Sequence, residues 1–162
     1  MAHYFQLRTP RIKGELTAER ALELLNDDGI GIKIRNLEDA KALDFQAKDL
    51  WQHGGDIGEA YECRVKAARI FENQSNFSAE KNSVLNDAAL AYDRAARNAY
   101  WLSSQTGNNK TYRRNIIMAA IGCRMRACRL HYHLWKEGYK DDRDWRFASN
   151  DLINLLRSYN AS

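Results

Sequence analysis

Between residues 110 and 137 the chain carries two apolar stripes at helical spacing, a pattern that few arrangements of secondary structure can satisfy. Ile116, Ala120, Cys123, Ala127, Leu130 and Leu134 step by four and three along one stripe. Ile117, Ile121, Met125, Cys128, Tyr132 and Trp135 form a second, rotated by roughly 100° on the helical wheel. A helix with one apolar stripe lies on a core, whereas a helix with two packs against two neighbours and is central in a bundle. Small residues recur at heptad spacing in three successive segments, at Ala60/Ala67, at Ala88/Ala95 with Ala89/Ala96, and at Ala120/Ala127. Alanine at a crossing lets helix axes approach toward the near end of the ~8–10 Å range. The pattern predicts an all-α fold, an antiparallel helical bundle or short helical-hairpin array. One proline and nine glycines in 162 residues are too few for a many-stranded, turn-rich β protein.

The length suits a single domain, and 44% hydrophobic with 28% charged residues supplies a core without disulfides or metal. Residues 1–35 read as an irregular N-terminal segment with a short helix, and 36–160 as the helical bundle. Thr17 caps a helix to about Asn26, and Asp27-Asp28-Gly29 breaks it. Ile30, Ile32 and Ile34 then alternate with Gly31, Lys33 and Arg35, a period-two pattern that suits a short strand, pairing with residues 4–8 as a small β-ribbon. Asn36, with Asp39 three residues on, opens a helix to about residue 51. Further helices are expected over 57–71, 78–104, 110–137 and 141–159. The intervening turns are 53–56, the polar connector 73–76, the loop 103–109, and Gly138 as a C-terminal stop.

No run approaches the ~20 apolar residues of a membrane helix. Residues 1–10 lack the apolar core of a secretory signal. With three cysteines (Cys63, Cys123 and Cys128), an odd number in helical apolar patterns, the expectation is free thiols in a reducing, cytoplasmic setting. No membrane partner, cofactor or metal site is expected.

Charge is distributed unevenly. Residues 1–81 hold 12 basic and 14 acidic side chains, a net −2, and residues 82–162 hold 13 and 7, a net +6. The window from Lys110 to Lys136 contains Lys110, Arg113, Arg114, Arg124, Arg126, Arg129 and Lys136 and no acid. Such a block favours an anionic partner, and arginine, which outnumbers lysine 16 to 9, suits bidentate contact with carboxylate or phosphate. Within it Arg126, Arg129, His133 and Lys136 step by three and four as a basic ridge, and Arg94, Arg97 and Trp101 form a similar ridge on the preceding helix. If the ridges face each other, they track a phosphate backbone with Trp101 available for stacking. The alternative is internal pairing, for example Asp93 with Arg97, or Asp141-Asp142-Arg143-Asp144 folded back onto the ridge.

Two resemblances bear on function. Residues 47–70, through Gly55-Asp56-Ile57-Gly58-Glu59-Ala60 and then Ala67, resemble a tetratricopeptide repeat, with its gly-asp turn and small residues seven apart. The likeness implies a helix-hairpin architecture and a protein-binding scaffold. Arg64 stands where that family usually has a large aromatic, and no proline closes the unit at Glu72. Arg124, Arg126 and His131 are similar in spacing to the arginine and histidine of HEPN-type ribonucleases, which implies phosphate stabilisation and activation of a ribose hydroxyl. The usual polar residue after the arginine is missing, since Met125 follows Arg124 and Ala127 follows Arg126. Cys123, Cys128, His131 and His133 match no zinc spacing.

No nucleophile motif, phosphate-cradling glycine loop or paired-carboxylate signature appears. The sequence therefore reads as a small non-enzymatic helical interaction protein, an adaptor or inhibitor. It would bind an acidic protein surface through Arg94, Arg97, Trp101, Arg113, Arg114, Arg124, Arg126, Arg129, His133 and Lys136. A nucleic-acid-binding protein is the first alternative and a HEPN-like ribonuclease the second.

Overall fold

A computed structural model describes residues 16–26, 36–105 and 109–162. The described residues form six α-helices: α1 (Ala18–Asn26), α2 (Leu37–Gln52), α3 (Ile57–Ser75), α4 (Lys81–Gln105), α5 (Lys110–Lys136) and α6 (Arg143–Ala161). The described residues form no strand. The ribbon expected from residues 4–8 and 30–34 lies outside them.

The helix ends follow local chemistry. Thr17 Oγ1 accepts from the Arg20 amide at 3.0 Å. Asn36 and Asp39 form a reciprocal capping box, each side chain accepting from the other's backbone N–H. Asp56 caps α3 and Asn109 caps α5 through their side-chain oxygens. At the end of α5, Gly138 adopts φ +77°. Its N–H reaches Trp135 O at 3.0 Å and that of Tyr139 reaches Leu134 O at 2.9 Å, the paired bonds of a Schellman stop. Gly54, at φ +67°, closes α2 in the same sense, with Gly55 N–H on Leu50 O.

Two boundaries differ from expectation. The stretch 73–75 continues α3 instead of connecting it, because Ser75 is buried and its hydroxyl donates to Glu72 O, keeping the polar turn helical. Ser78 Oγ accepts from Glu80 N, which closes a turn and delays α4 to Lys81.

From α2 onward each helix packs chiefly on the next, and α1 lies against α3 and α5. Side chains also link alternate helices. Trp51 of α2 meets Trp101 of α4 edge-on at 6.3 Å. Arg97 and Tyr100 of α4 line a cavity with Asn154 and Ser158 of α6. Helices α2, α4 and α6 therefore form one side of the array, and α1, α3 and α5 the other. The first α5 stripe is wholly buried, from Ile116 to Leu134. The second is only half covered: Cys128 approaches Ser149 of α6 and Trp135 stacks on Trp145, but Met125 is 56% exposed. Gly122, between them, is where Leu25 of α1 comes close, and a Cβ there would lie 2.9 Å from Leu25 Cδ1.

The heptad alanines are buried at the helix seams. Ala60, Ala67, Ala88, Ala89, Ala95, Ala120 and Ala127 have no exposure and Ala96 has 1%. Ala95→Leu is expected to lower stability by about 1–3 kcal/mol in urea denaturation, since the added carbons have no volume to enter. Ala42→Leu, on the exposed face of α2, should change it by less than about 0.5 kcal/mol.

Candidate functional site

Arg124 enters the seam between α4 and α6 and is 3% exposed. Its Nη1 donates to Asp93 Oδ1 of α4 and its Nη2 pairs with Asp151 Oδ2 of α6, both at 2.6 Å. The second oxygen of Asp93 lies 2.8 Å from His131 Nε2. His131 Nδ1 in turn lies 2.8 Å from the Lys140 ammonium. An ammonium only donates, so Nδ1 accepts and the ring holds its proton on Nε2, where it donates to Asp93. Lys140 also donates to Asn86 Oδ1 at 2.6 Å and Asp144 Oδ2 at 2.8 Å, which occupies all three of its protons. One chain of polar contacts thus ties α4, α5, the α5–α6 connector and α6 together.

The polar partners sit seven residues apart on each helix: Asn86 and Asp93, Arg124 and His131, Asp144 and Asp151. Arg124 and His131 fall in the wedge between the two apolar stripes of α5, which is the face turned to a helix seam. That spacing was present in the sequence, but its meaning depends on which helices meet there.

A second ion pair lies on the α2 side. Arg64, where the tetratricopeptide pattern has an aromatic, reaches Asp44 of α2 at 2.9 Å, and Arg94 of α4 approaches the other oxygen at 3.6 Å. Burial lowers the Arg64 pKa against the opposing pull of Asp44. A third cluster anchors α1 by its carbonyl end. Arg69 of α3 donates to Leu24 O at 2.9 Å and Arg126 of α5 to Leu25 O at 2.6 Å. Guanidinium groups there satisfy orphan carbonyls and complement the negative end of the helix dipole. Tyr61 O–H adds a bond to Ala21 O at 2.8 Å, and burial raises the Tyr61 pKa.

The ten residues singled out as a binding surface therefore have different surroundings. Arg124 is buried in the ionic chain, Arg126 caps α1, Arg94 pairs with Asp44, and Arg129 lies 3.4 Å from Glu72. Trp101 is half covered by Trp51. Lys136 lies over the Trp135 ring at 4.2 Å, and His133 is exposed. Arg97, Arg113 and Arg114 have no ion pair to a described carboxylate, and neither does Lys110. The two ridges do not face each other: Arg94 and Trp101 look to α2, whereas Arg126 and Arg129 look to α1 and α3. Asp93 serves Arg124 and His131 instead of Arg97, and the acids of 141–144 pair locally with Arg143, Arg146 and Lys140.

The arginine–histidine trio is likewise split. Arg124 and fully buried His131 share Asp93, while Arg126 is directed to the opposite side, onto α1. The cysteines have separate neighbours, Tyr61 for Cys123 and Ser149 for Cys128, and burial pushes the Cys123 thiol up to about 12. Among the described residues no cluster of three or more His, Cys, Asp or Glu is placed to hold a metal, and no helix is long and apolar enough to cross a membrane.

Comparison with known proteins gives no match: no family model, no curated protein sequence and no solved structure is similar to this chain. The tetratricopeptide resemblance is thus a likeness of one hairpin.

Asp93→Ala leaves buried Arg124 with Asp151 alone and His131 Nε2 without its acceptor, and should cost about 3 kcal/mol of folding stability, measured by chemical denaturation. Arg124→Met added to Asp93→Ala should recover part of that loss. The Lys140 hydrogen bond holds the Asp144 carboxyl below its ordinary 3.8. A depressed folded value means stability present above the unfolded titration range and lost as pH falls through the folded one. A carboxyl-detected NMR titration should place the Asp144 midpoint below 3.8, and Lys140→Met should move it back up.

Proposed function

We propose that the chain is a helical interaction protein that binds an acidic surface of a partner protein. The observation that carries this reading is the gathering at one end of four cations without a carboxylate partner, Arg97, Lys110, Arg113 and Arg114. Arg97, Lys110 and Arg113 line two adjoining cavities, of about 300 and 390 Å³, that share Tyr100 and Ser158. Arg114 lies beside them, over the Tyr159 ring at 4.4 Å. The smaller cavity also holds Arg124 and Asp151, which pair with each other, and away from it Arg64, Arg94 and Arg146 have carboxylate partners. Cations with no internal acid raise the local positive potential and steer an anionic partner. The binding surface is thereby narrowed from the whole basic window to the end where α4 closes and α5 begins.

Fluorescence anisotropy with a labelled glutamate-rich peptide, single-stranded RNA and duplex DNA, each at low and near-physiological salt, tests the reading. The peptide is expected to bind and to weaken with salt. The charge reversals Arg97→Glu and Arg113→Glu together should lower its affinity at least tenfold, whereas Lys48→Glu on exposed α2 should leave it unchanged. Tight, steeply salt-dependent binding of RNA or DNA with none of the peptide would put nucleic-acid binding in its place.

A further inference from the structure

One strip of α5 lies bare between its neighbours. Helix α1 meets α5 at Gly122 and Arg126, and α6 meets it at Cys128, Tyr132 and Trp135. On the helical wheel Met118, Met125 and Arg129 fall between those two sets. Met118 and Met125 are exposed, and with Leu22 and Leu25 of α1 they line a cavity of about 560 Å³. From the other side comes Leu156 of α6, also exposed. It shares a face with Ser149, which approaches Cys128, and with Tyr159, which meets Arg114, so it stands beside the part of α5 that carries Met118. Two of the chain's three methionines therefore lie on this strip. Their unbranched, polarisable side chains adapt to the shape of whatever covers them.

Charge along the strip has one sign. Arg114 stands toward one end and Arg129 toward the other, about 22 Å apart at 1.5 Å per residue. Helix α5 carries no aspartate or glutamate, and among the described residues no carboxylate lines the cavity. Asp144 and Asp151 of α6 turn to Lys140 and Arg124. On α1, Glu23 pairs with Arg20, and Glu19 borders a separate hollow with Asn109 and Thr111. Arg129 is 65% exposed and approaches Glu72 with one nitrogen at 3.4 Å, which leaves its other donors to a partner.

We propose that this strip receives an amphipathic helix of the acidic partner. The helix would lay its apolar face on Met118, Met125 and Leu156, with acidic residues near its two ends against Arg114 and Arg129. The inference rests on the acidic-partner reading and adds the partner's form, since Arg114 belongs both to the cationic end and to this strip. A helix fits because apolar residues seven apart repeat the spacing by which α3, α4 and α5 already meet, and because about 22 Å is the length of a four-turn helix. A two-fold contact with a second copy would set an acid-free strip against itself. A nucleic-acid backbone would leave the methionines uncovered.

The test uses a synthetic acidic peptide of about 18 residues with leucines at three- and four-residue spacing, and a control of the same composition with the leucines scrambled. Binding is followed on the ε-methyl signals of Met118 and Met125 in protein carrying ¹³C-methyl methionine. The patterned peptide is expected to move both signals saturably and to bind at least tenfold more tightly than the scrambled one. Met118→Gln with Met125→Gln should lower its affinity at least tenfold, leave the plain glutamate-rich peptide unaffected and preserve cooperative melting. Equal binding of the two peptides, or methionine signals that neither moves, would overturn the helix site and leave the acidic-partner reading standing where the glutamate-rich peptide still binds. Failure of all three peptides removes both. Methionine signals that shift with protein concentration alone would assign the strip to a second copy. Methyl contacts of Met125 with Ile30, Ile32 or Ile34 that the patterned peptide does not displace would assign it to the chain's own residues 27–35, and either result overturns the proposal.

Discussion

The Arg124 guanidinium, held between Asp93 and Asp151, is the contact on which the far half of the array depends. Placing that charge in a helix seam is costly, and attraction between the ions repays the cost only where every remaining proton and lone pair finds a partner. Here most do. Asp93 is filled by Arg124 and His131, His131 by Asp93 and Lys140, and Lys140 by three acceptors. The one unmatched atom is Arg124 Nε. An apolar seam of alanines would tolerate sliding by a turn. Polar partners seven apart on all three helices admit one register, because a slip leaves buried charges unpaired. The chain therefore holds α6, which buries few residues of its own, in a defined place.

The same arrangement decides where positive charge is left over. Arg64, Arg94 and Arg124 are matched by acids at the helix seams, and Arg69 and Arg126 are turned inward to cap α1. A run of basic residues that looks uniform along α5 is thus three different things in space. Arg124 holds the fold, Arg126 fixes the N-terminal helix, and Lys110, Arg113 and Arg114 at the start of the helix have only solvent, an aromatic ring or a ligand to meet. The net charge of the second half thus overstates how many of its cations lack an internal acid.

Much of the fold was legible because its signals are local. Thr17, Asn36 and Gly138 act at the positions their side chains, or the lack of one, dictate, and the heptad alanines mark the crossings where they are found. The connector expected at 73–76 was not legible, because Ser75 stays helical through burial against distant helices. The second α5 stripe promised a partner along its whole length, yet Met125 is 56% exposed. The site was harder still. Arg126 looks like a surface residue by sequence, and only the tertiary fold brings the end of α1 to it, some hundred positions away. Lys140 and Asp151 carried no local signal of their own, since a buried ion pair depends on which helices meet.

His131 reports most directly on whether this ionic chain exists. Long-range ¹H–¹⁵N NMR of the imidazole at neutral pH should find a neutral ring protonated on Nε2, with that proton exchanging slowly with water. Asp93→Asn should disturb its shift. A ring protonated on Nδ1, or one exchanging freely as an exposed histidine does, would contradict the account, because Lys140 could not then donate to it and the seam between α4 and α6 would be held by something else.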